Sequence, residues 1–571
     1  MSTIKLYICL KKLVPVKVKI KIKNIRLYVM SVISGNQDLE TLVVPHDELN
    51  DTEKFLQLKF GTAVNNKWKF VVILSTPHTQ WYAELIASEL KKHNIIAQVE
   101  STHIGAQTPD IWFVICPQVF KELPPLEKCI VFQMEQLNQD RWISESYVKI
   151  LKECAAIVEY SSTNLEVLQK MNLKYQKIYL VPVGIQPLRA QSKSREGVVF
   201  YGDSSSPRRK KILQNLSSKN KITILDGVFG EDLSLRLASA GVILNVHYYD
   251  NSLLETTRLN QSLSHGIPIV SEFSADRSDY PEYEKVVMYF DSENLNEFNS
   301  GVEHFLGSDS LTFHEEIQST HSKIKIKFEF HFARFLLGMG VITLDQFKDF
   351  DSEIDFKTDL CLSLPETVDR FQRAKDLPAQ VFTGLRHYLG WIGCGLSYKN
   401  LAVQARNKSV KQFVVYEDDV VLPNNYESVQ KSIQGYLDTL NTNWHIFSGM
   451  ISNLDLDSEI LSVETYDGLN FVTLNRMTST VYNIFSERGR DLLCLWNENN
   501  FDLKHNTIDQ YFGHSSDLRV VTVFPFLFGH DSLESSTLWG FTNDEYEDSI
   551  TRSTQLLQQK IENFQKSRNS F

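Results

Sequence analysis

No stretch of the 571-residue chain approaches the ~18 consecutive apolar residues that a membrane-spanning helix requires. The longest apolar runs, Phe70–Leu74 and Val520–Phe528 among them, are strand-sized. Cysteine is scarce too. The seven (Cys9, Cys116, Cys129, Cys154, Cys361, Cys394, Cys494) are odd in number and never form a Cys-x-x-Cys pair, which argues against a disulfide framework and against a zinc site. Most sit among apolar neighbours, as buried thiols of a reducing compartment do. With no cleavable signal sequence, the expected location is the cytosol. The His and Asp clusters of a two-metal phosphoesterase are lacking as well. An excess of positive charge is also missing. The net charge is −11, yet residues 1–30 hold eight Lys or Arg and no acid, which leaves 51 basic against 70 acidic groups for the remainder, a net of −19. That balance excludes a nucleic-acid role for the body of the chain. The basic head has period two in Val16-Lys-Val-Lys-Ile-Lys-Ile-Lys23. This fits a strand with a charged outer face, or a peripheral contact with an anionic membrane at ~1 kcal/mol per basic residue.

What is present is ordinary globular composition, 42% hydrophobic and 23% charged, at a length that implies three or so folding units. From Lys69 onward, short apolar strands alternate with helix-length segments, the signature of βαβ units on parallel sheets. Strands are expected at Phe70–Leu74, Ile96–Glu100, Ile111–Cys116 and Cys129–Met134, with helices over Gln80–Lys92 and around Tyr147–Cys154. A first Rossmann-like lobe ends near Ile178–Gly184 and a second opens at Val198–Gly202.

The second lobe carries more information. Phe200-Tyr-Gly-Asp-Ser-Ser-Ser-Pro-Arg-Arg209 reads as a strand, a glycine turn at Gly202, a serine-rich loop and a helix start at Pro207. Amides, hydroxyls and the guanidinium groups of Arg208 and Arg209 could meet there around a phosphate, or the arginines could simply be solvated. Further on, Val242–His247 is a strand, followed by a helix from about Leu254 to His265, capped by Gly266. Glu255 in its first turn is either a structural cap or a clamp on ribose hydroxyls.

A second acidic feature lies at Phe413-Val-Val-Tyr-Glu-Asp-Asp-Val-Val-Leu422. Three acids inside a buried strand pattern would cost several kcal/mol each to desolvate unpartnered, so either the strand ends in a cleft where they hold a hard divalent ion, or the run is an exposed acidic turn after a strand. Strand alternation puts Glu417 and Asp419 on one face and Asp418 on the other. Before it, Gly390, Gly393 and Gly395 allow close backbone approach, and a helix is expected over Leu401–Asn407.

Two resemblances follow from these residues. Leu244–Glu272, with the Gly202–Arg209 loop, Val131-Phe-Gln-Met-Glu-Gln136, Tyr160–Ser162 and Val181–Gly184, resembles group-1-type glycosyltransferases of GT-B fold over about residues 69–308. The resemblance implies a nucleotide-sugar donor in the cleft between lobes, with Arg208 and Arg209 near the diphosphate, Glu255 near the ribose, and Gly202 and His247 also at the donor. Retaining members commonly carry two glutamates eight positions apart, and here the earlier position is His247. The ordered set Leu364-Pro-…-Arg370, Gly390–Ser397, Glu417-Asp-Asp419, Trp444–Gly449, Thr478–Gly489, Ile508-Asp509 and Phe524-Pro-Phe526 resembles glycosyltransferase family 25 over about residues 357–540. That resemblance implies a GT-A-type α/β domain binding a UDP-sugar with Mn²⁺ or Mg²⁺. Glu417 and Asp419 would be metal or donor-phosphate contacts, with Glu417 also at the reacting centre, Asp418 a ribose or metal contact and Ser397 a donor contact. Beside the resemblance, Asp509 is a candidate base or a cap of the helix that follows it, and His530 a third metal ligand or a structural or solvated residue. Tyr398 stands where that family has His, and the segment between Arg370 and Gly390 is short.

The expected organisation is a basic extension (1–68), a first lobe (69–190), a nucleotide-sugar lobe (191–308), a helical connector (309–356), a family-25-like domain (357–545) and a C-terminal helix (546–571). The expected activity is a bifunctional glycosyltransferase, cytoplasmic or peripheral at the membrane, acting on a glycan or glycolipid of surface polysaccharide or lipooligosaccharide assembly. The alternative is that only one module is catalytic and the other docks nucleotide sugar or glycan.

Overall fold

The computed structural model describes residues 68–101, 108–139, 141, 143–171, 173, 175–189, 195–217, 221–307, 310–348, 356–534 and 542–569. The basic head and the linker at 349–355 lie outside them. The chain divides into two compact units, one within Gln57–Glu353 and one that includes Ile354–Phe571.

The first unit contains two parallel sheets. In the first, β1 (Phe70–Leu74), β2 (Ile96–Glu100), β3 (Ile111–Ile115), β4 (Cys129–Gln133), β5 (Ala156–Glu159) and β6 (Ile178–Leu180) run in the order β2-β1-β3-β4-β5-β6. β3 and β4 are buried along their whole length, which is why they read as unbroken apolar runs without alternation. The helix Gln80–Lys92 covers this sheet by burying Tyr82, Leu85, Ile86 and Leu90, one face at helical spacing. The second sheet has β7 (Glu196–Tyr201), β8 (Ile222–Leu225), β9 (Ala240–Asn245), β10 (Ile269–Glu272) and β11 (Val287–Phe290) in the order β11-β10-β9-β7-β8. Its order reverses between β7 and β9, the kind of crevice at strand carboxyl ends where open α/β sheets take ligands.

A 29-residue helix, Ser310–Gly338, closes the unit. Its Phe335 ring lies 5.1 Å from Tyr179 of the first lobe. Its Ile317 and Ile324 join the core of the second lobe. Lys327 Nζ meets Glu282 of that lobe at 3.0 Å. The segment expected as a connector is therefore a brace across both lobes, held by apolar contacts at each end.

The second unit is built on a mixed eight-stranded sheet of β12 (Asp359–Ser363), β13 (Gln380–Thr383), β14 (Phe413–Glu417), β16 (Ile446–Ser448), β17 (Ile460–Tyr466), β18 (Leu469–Leu474), β19 (Tyr482–Phe485) and β20 (Val520–Val523). The order is β13-β12-β14-β19-β16-β20-β18-β17. β12, β13 and β14 are mutually parallel, whereas β14 pairs antiparallel with β19. A separate antiparallel pair joins β15 (Val420–Val421) to β21 (Gly529–His530).

Three local expectations are corrected. The helix expected at Leu401 begins at Gly390 and runs to Asn407. Its glycines are sites of close packing: a Cβ on Gly395 would stand 2.3 Å from the Trp496 ring, and one on Gly393 2.9 Å from the His387 amide. The run Val520–Phe528 is not one strand, because β20 stops at Val523, ahead of Pro525, which has no amide to donate to a ladder. β14 ends at Glu417, and Asp418 and Asp419 form the turn to β15. Strand alternation therefore does not govern where the two aspartates point.

Candidate functional site

The crevice of the second lobe is assembled from the carboxyl ends of β7, β9 and β10. Gly202, just after β7, has φ +118°, and a Cβ there would stand 2.9 Å from Arg258 Nη2. Glycine is thus favoured by the backbone conformation, and a guanidinium lies over it. Arg258 projects from the first turn of the helix Thr256–Ser264 and donates from Nη1 to Asn245 Oδ1 at 2.9 Å. The same Nη1 lies 3.0 Å from Glu255 Oε2.

Arg209 is buried at the start of the helix Pro207–Ser217. It donates to the carbonyls of Val246 (2.9 Å) and Asp203 (2.8 Å) and to Glu255 Oε1 (3.1 Å). Arg208, the more exposed of the pair, donates to the His247 carbonyl at 2.9 Å and to Glu272 Oε2 at 3.0 Å, and also pairs with Asp250. His247 is buried; its amide donates to Glu272 Oε2 at 3.0 Å, and its Nδ1 lies 3.9 Å from Glu255.

These contacts bring Gly202, Arg208, Arg209, His247 and Glu255 together at the β7/β9 switch point. They also assign the two arginines different tasks. Arg209 spends its donors on protein partners, so its guanidinium holds the loop from below, while Arg208 stands nearer solvent. Glu255 is the N-terminal boundary residue of its helix but makes no side-chain cap. Burial by itself would raise its carboxyl, but Arg258 and Arg209 outweigh that and hold it far below the usual range. Arg258 and Glu272 were not among the expected residues. Arg258, three residues after Glu255 in helical register, and Glu272, a charge ending a buried strand, were the available signals.

Across the cleft the first lobe contributes the segment after β4. Gln136 exchanges two hydrogen bonds with the Leu253 backbone, at 3.3 and 3.0 Å. Asn138 donates to the Asn251 carbonyl at 3.2 Å, and the Arg141 guanidinium stands 5.0 Å from the Tyr248 ring centre. The loops after β4 and β9 therefore face each other, with both sets of strand carboxyl ends on the cleft.

The second unit gathers its acids differently from expectation. Arg370, on the helix Val368–Ala374, donates from Nε to Asp418 Oδ1 at 2.8 Å and lies 3.0 Å from Asp419 Oδ2 through Nη2. Ser363 donates to Asp418 Oδ2 at 2.6 Å, and Asn543 to Asp419 Oδ2 at 2.9 Å. Asp418 and Asp419 are only 8% and 10% exposed, so this guanidinium is the cation that desolvated carboxylates demand. Burial, then the neighbouring Asp419, pushes the Glu417 carboxyl up to about 8.

An octahedral ion needs a shell of free anionic and neutral oxygens. Here both oxygens of Asp418 and one of Asp419 are engaged, Asp419 Oδ1 alone is buried without a partner, and Glu417 favours its proton. Among the described residues, no group of three or more His, Cys, Asp and Glu could hold a metal ion. Mn²⁺ or Mg²⁺ thus does not fit the residues as arranged, and the expected ligand set of Glu417, Asp419 and His530 is corrected. The physical reason is that a turn wraps both aspartates around Arg370, while His530 is fixed on β21 opposite Val420.

Ser397 is buried and accepts from the Leu385 amide at 2.8 Å while donating to the Gly393 carbonyl at 2.7 Å. It latches the 385 loop to its helix. Asp509, at the start of the helix Ile508–Gly513, accepts from Thr507 and from the Gln510 amide, each at 2.9 Å. Burial raises its carboxyl despite those bonds.

No protein-family model and no curated protein matches the chain. Among solved structures it is similar to sucrose-phosphate synthase from Thermosynechococcus elongatus, at 9% identity over 50% of this chain and 100% of that one, TM-score 0.31. It is also similar to Anabaena HepE in complex with UDP and glucose, at 8% identity over 50% and 100%, TM-score 0.34. T4 phage BGT in complex with UDP and Mn²⁺ matches at 12% identity over 47% and 99%, TM-score 0.31. Among the described residues, no helix is long and apolar enough to cross a membrane.

Proposed function

We propose that the unit within residues 57–353 is a glycosyltransferase that binds a nucleoside-diphosphate sugar between its two lobes. The observation that carries this reading is the guanidinium cluster at the β7/β9 switch point, with Arg258 laid over the positive-φ Gly202 and Arg208 beside it. A diphosphate leaving group takes up one further negative charge as the glycosidic bond breaks, and preorganised guanidinium donors stabilise that charge where it develops. Glu255 serves by holding Arg258 and Arg209 in position. A glycan or glycolipid hydroxyl is the acceptor class, entering from the first lobe.

The second unit, by its family-25-like ordered motifs, is read as a further nucleotide-sugar module, galactosyltransferase-like, in surface polysaccharide or lipooligosaccharide assembly. Its cation is Arg370, so no step is routed through a metal. The internal neutralisation of Asp418 and Asp419 favours a second reading, in which this unit docks donor or glycan while the first unit performs transfer.

Calorimetric titration of the full chain with UDP and GDP tests the assignment. Arg258→Met should weaken binding of the preferred nucleotide at least tenfold with the circular-dichroism spectrum unchanged. Equal affinity in wild type and variant, or no binding of either nucleotide to wild type, sinks it.

A further inference from the structure

Glu135 stands directly after β4, on the first-lobe side of the cleft, and nothing in the donor site described above uses it. Its backbone is clamped from both sides. The amide donates to Gln133 Oε1 at 2.8 Å, and the carbonyl accepts from Gln133 Nε2 at 2.7 Å and Asn164 Nδ2 at 2.9 Å. Those two amides are themselves fixed by the buried Glu159, which takes Gln133 at 3.0 Å and Asn164 at 3.0 Å, and by the Tyr147 hydroxyl on Gln133 at 2.6 Å.

Two carboxylates thus share one network but have opposite circumstances. Glu159 is fully buried and saturated by protein donors, including the amides of Tyr160 and Ser161 at 2.9 Å each. Glu135 is half-buried at the strand ends and receives Gln118 Nε2 from the loop after β3. That loop opens at Cys116, a non-glycine residue with φ +56°, a conformation that persists only where the surroundings impose it. The next residue, Gln136, is bonded twice to the Leu253 backbone of the other lobe, so Glu135 adjoins the point where the lobes meet.

We infer that Glu135 is the general base that takes the proton of the attacking acceptor hydroxyl in the interlobe cleft. The inference rests on the reading of this cleft as a glycosyl-transfer site. In the step, the acceptor oxygen forms a bond to the sugar C1, its proton passes to a Glu135 carboxylate oxygen, and the C1–oxygen bond to the diphosphate breaks. The electron pair leaves on the diphosphate, beside Arg258 and Arg208. Charge and protons balance without a co-reactant.

The carboxyl is suited to this exchange at neutral pH. Burial pushes it up to about 7, against the Arg141 guanidinium and the Gln118 amide, which pull it down. The other titratable groups around it are Cys116, Tyr147 and Tyr160, all held high by burial and so neutral, and Glu159, pushed up to about 8 by burial.

The test uses the full chain with UDP-glucose, UDP-galactose and UDP-N-acetylglucosamine, water as nucleophile, UDP release as the rate and calorimetry for UDP binding. Glu135→Gln should keep UDP affinity within threefold while kcat falls at least 100-fold, and the wild-type rise of kcat/KM with pH through about 7 should vanish. Gln118→Ala, which keeps the carboxylate but removes its donor, should retain turnover and move that midpoint upward. A Glu135→Gln rate within threefold of wild type, or an unchanged pH profile, overturns the base assignment while leaving the cleft reading intact. Wild-type protein that binds neither UDP nor GDP overturns the cleft reading and the base with it, whereas wild-type protein that binds UDP but releases none from these donors overturns the base alone.

Discussion

Glu255→Gln probes the charge arrangement of the second lobe most directly. Glu255 is 13% exposed and lies between Arg209 (3% exposed, 3.1 Å) and Arg258 (14% exposed, 3.0 Å). Replacing the carboxylate with an amide keeps shape and one acceptor but leaves two nearly buried cations facing each other. Removing one member of a buried pair costs about 3–5 kcal/mol. Asn245 still accepts from Arg258, and the Phe200 ring lies 5.5 Å from Arg209, so the lower end, about 3 kcal/mol, is expected. The sign with pH follows from the depressed carboxyl. Its stabilising contribution is complete above the unfolded-state value near 4.3 and is lost as pH falls below it, by about 1.4 kcal/mol per unit. Urea unfolding of wild type and Glu255→Gln from pH 8 to pH 3 should therefore give a constant gap of about 3 kcal/mol down to about pH 5, narrowing by about 2 kcal/mol by pH 3. A gap below about 1 kcal/mol at pH 7, or one that does not narrow in acid, would refute the placement of Glu255 between the two guanidinium groups.

Arg370→Met leaves Asp418 and Asp419 in their turn without a cation, so the variant should be destabilised by about 3 kcal/mol and should acquire Mn²⁺ binding that wild type lacks, read by electron paramagnetic resonance. Tight Mn²⁺ binding by wild type, lost in Asp419→Ala, would restore the metal-site reading. Ser397→Ala strands the buried Leu385 amide and should cost about 1–3 kcal/mol in thermal unfolding, with nucleotide affinity unchanged. A loss of affinity without loss of stability would instead make Ser397 a donor contact.

Parts of this molecule were legible before any coordinates. The short apolar runs of β1, β3 and β4 read as strands covered on both faces, and Pro207 marks a helix start with a fixed φ. Gly390–Ser397 misled because glycine discourages helix in isolation. Here the need for close approach to Trp496 and the His387 amide outweighs the propensity cost of about 1 kcal/mol per glycine. The acidic run misled for a different reason. Period two holds only to the last strand residue, Glu417, and the turn that follows obeys no such rule.

The candidate site was legible as a set of residues but not as a division of labour. Arg208 and Arg209 are adjacent in sequence and chemically identical, yet one helix start turns Arg209 inward to the Val246 and Asp203 carbonyls and leaves Arg208 facing Glu272 and Asp250. Local pattern determined the strands, most helix starts and the chemical types available at each loop, because these depend on neighbours a few positions away. Tertiary structure alone decided that Arg258 covers Gly202, that Arg370 neutralises the acids expected to bind metal, and that Gln136, next to Glu135, meets the opposing lobe. Each of these joins residues 48 or more positions apart in the chain, which only folding brings together.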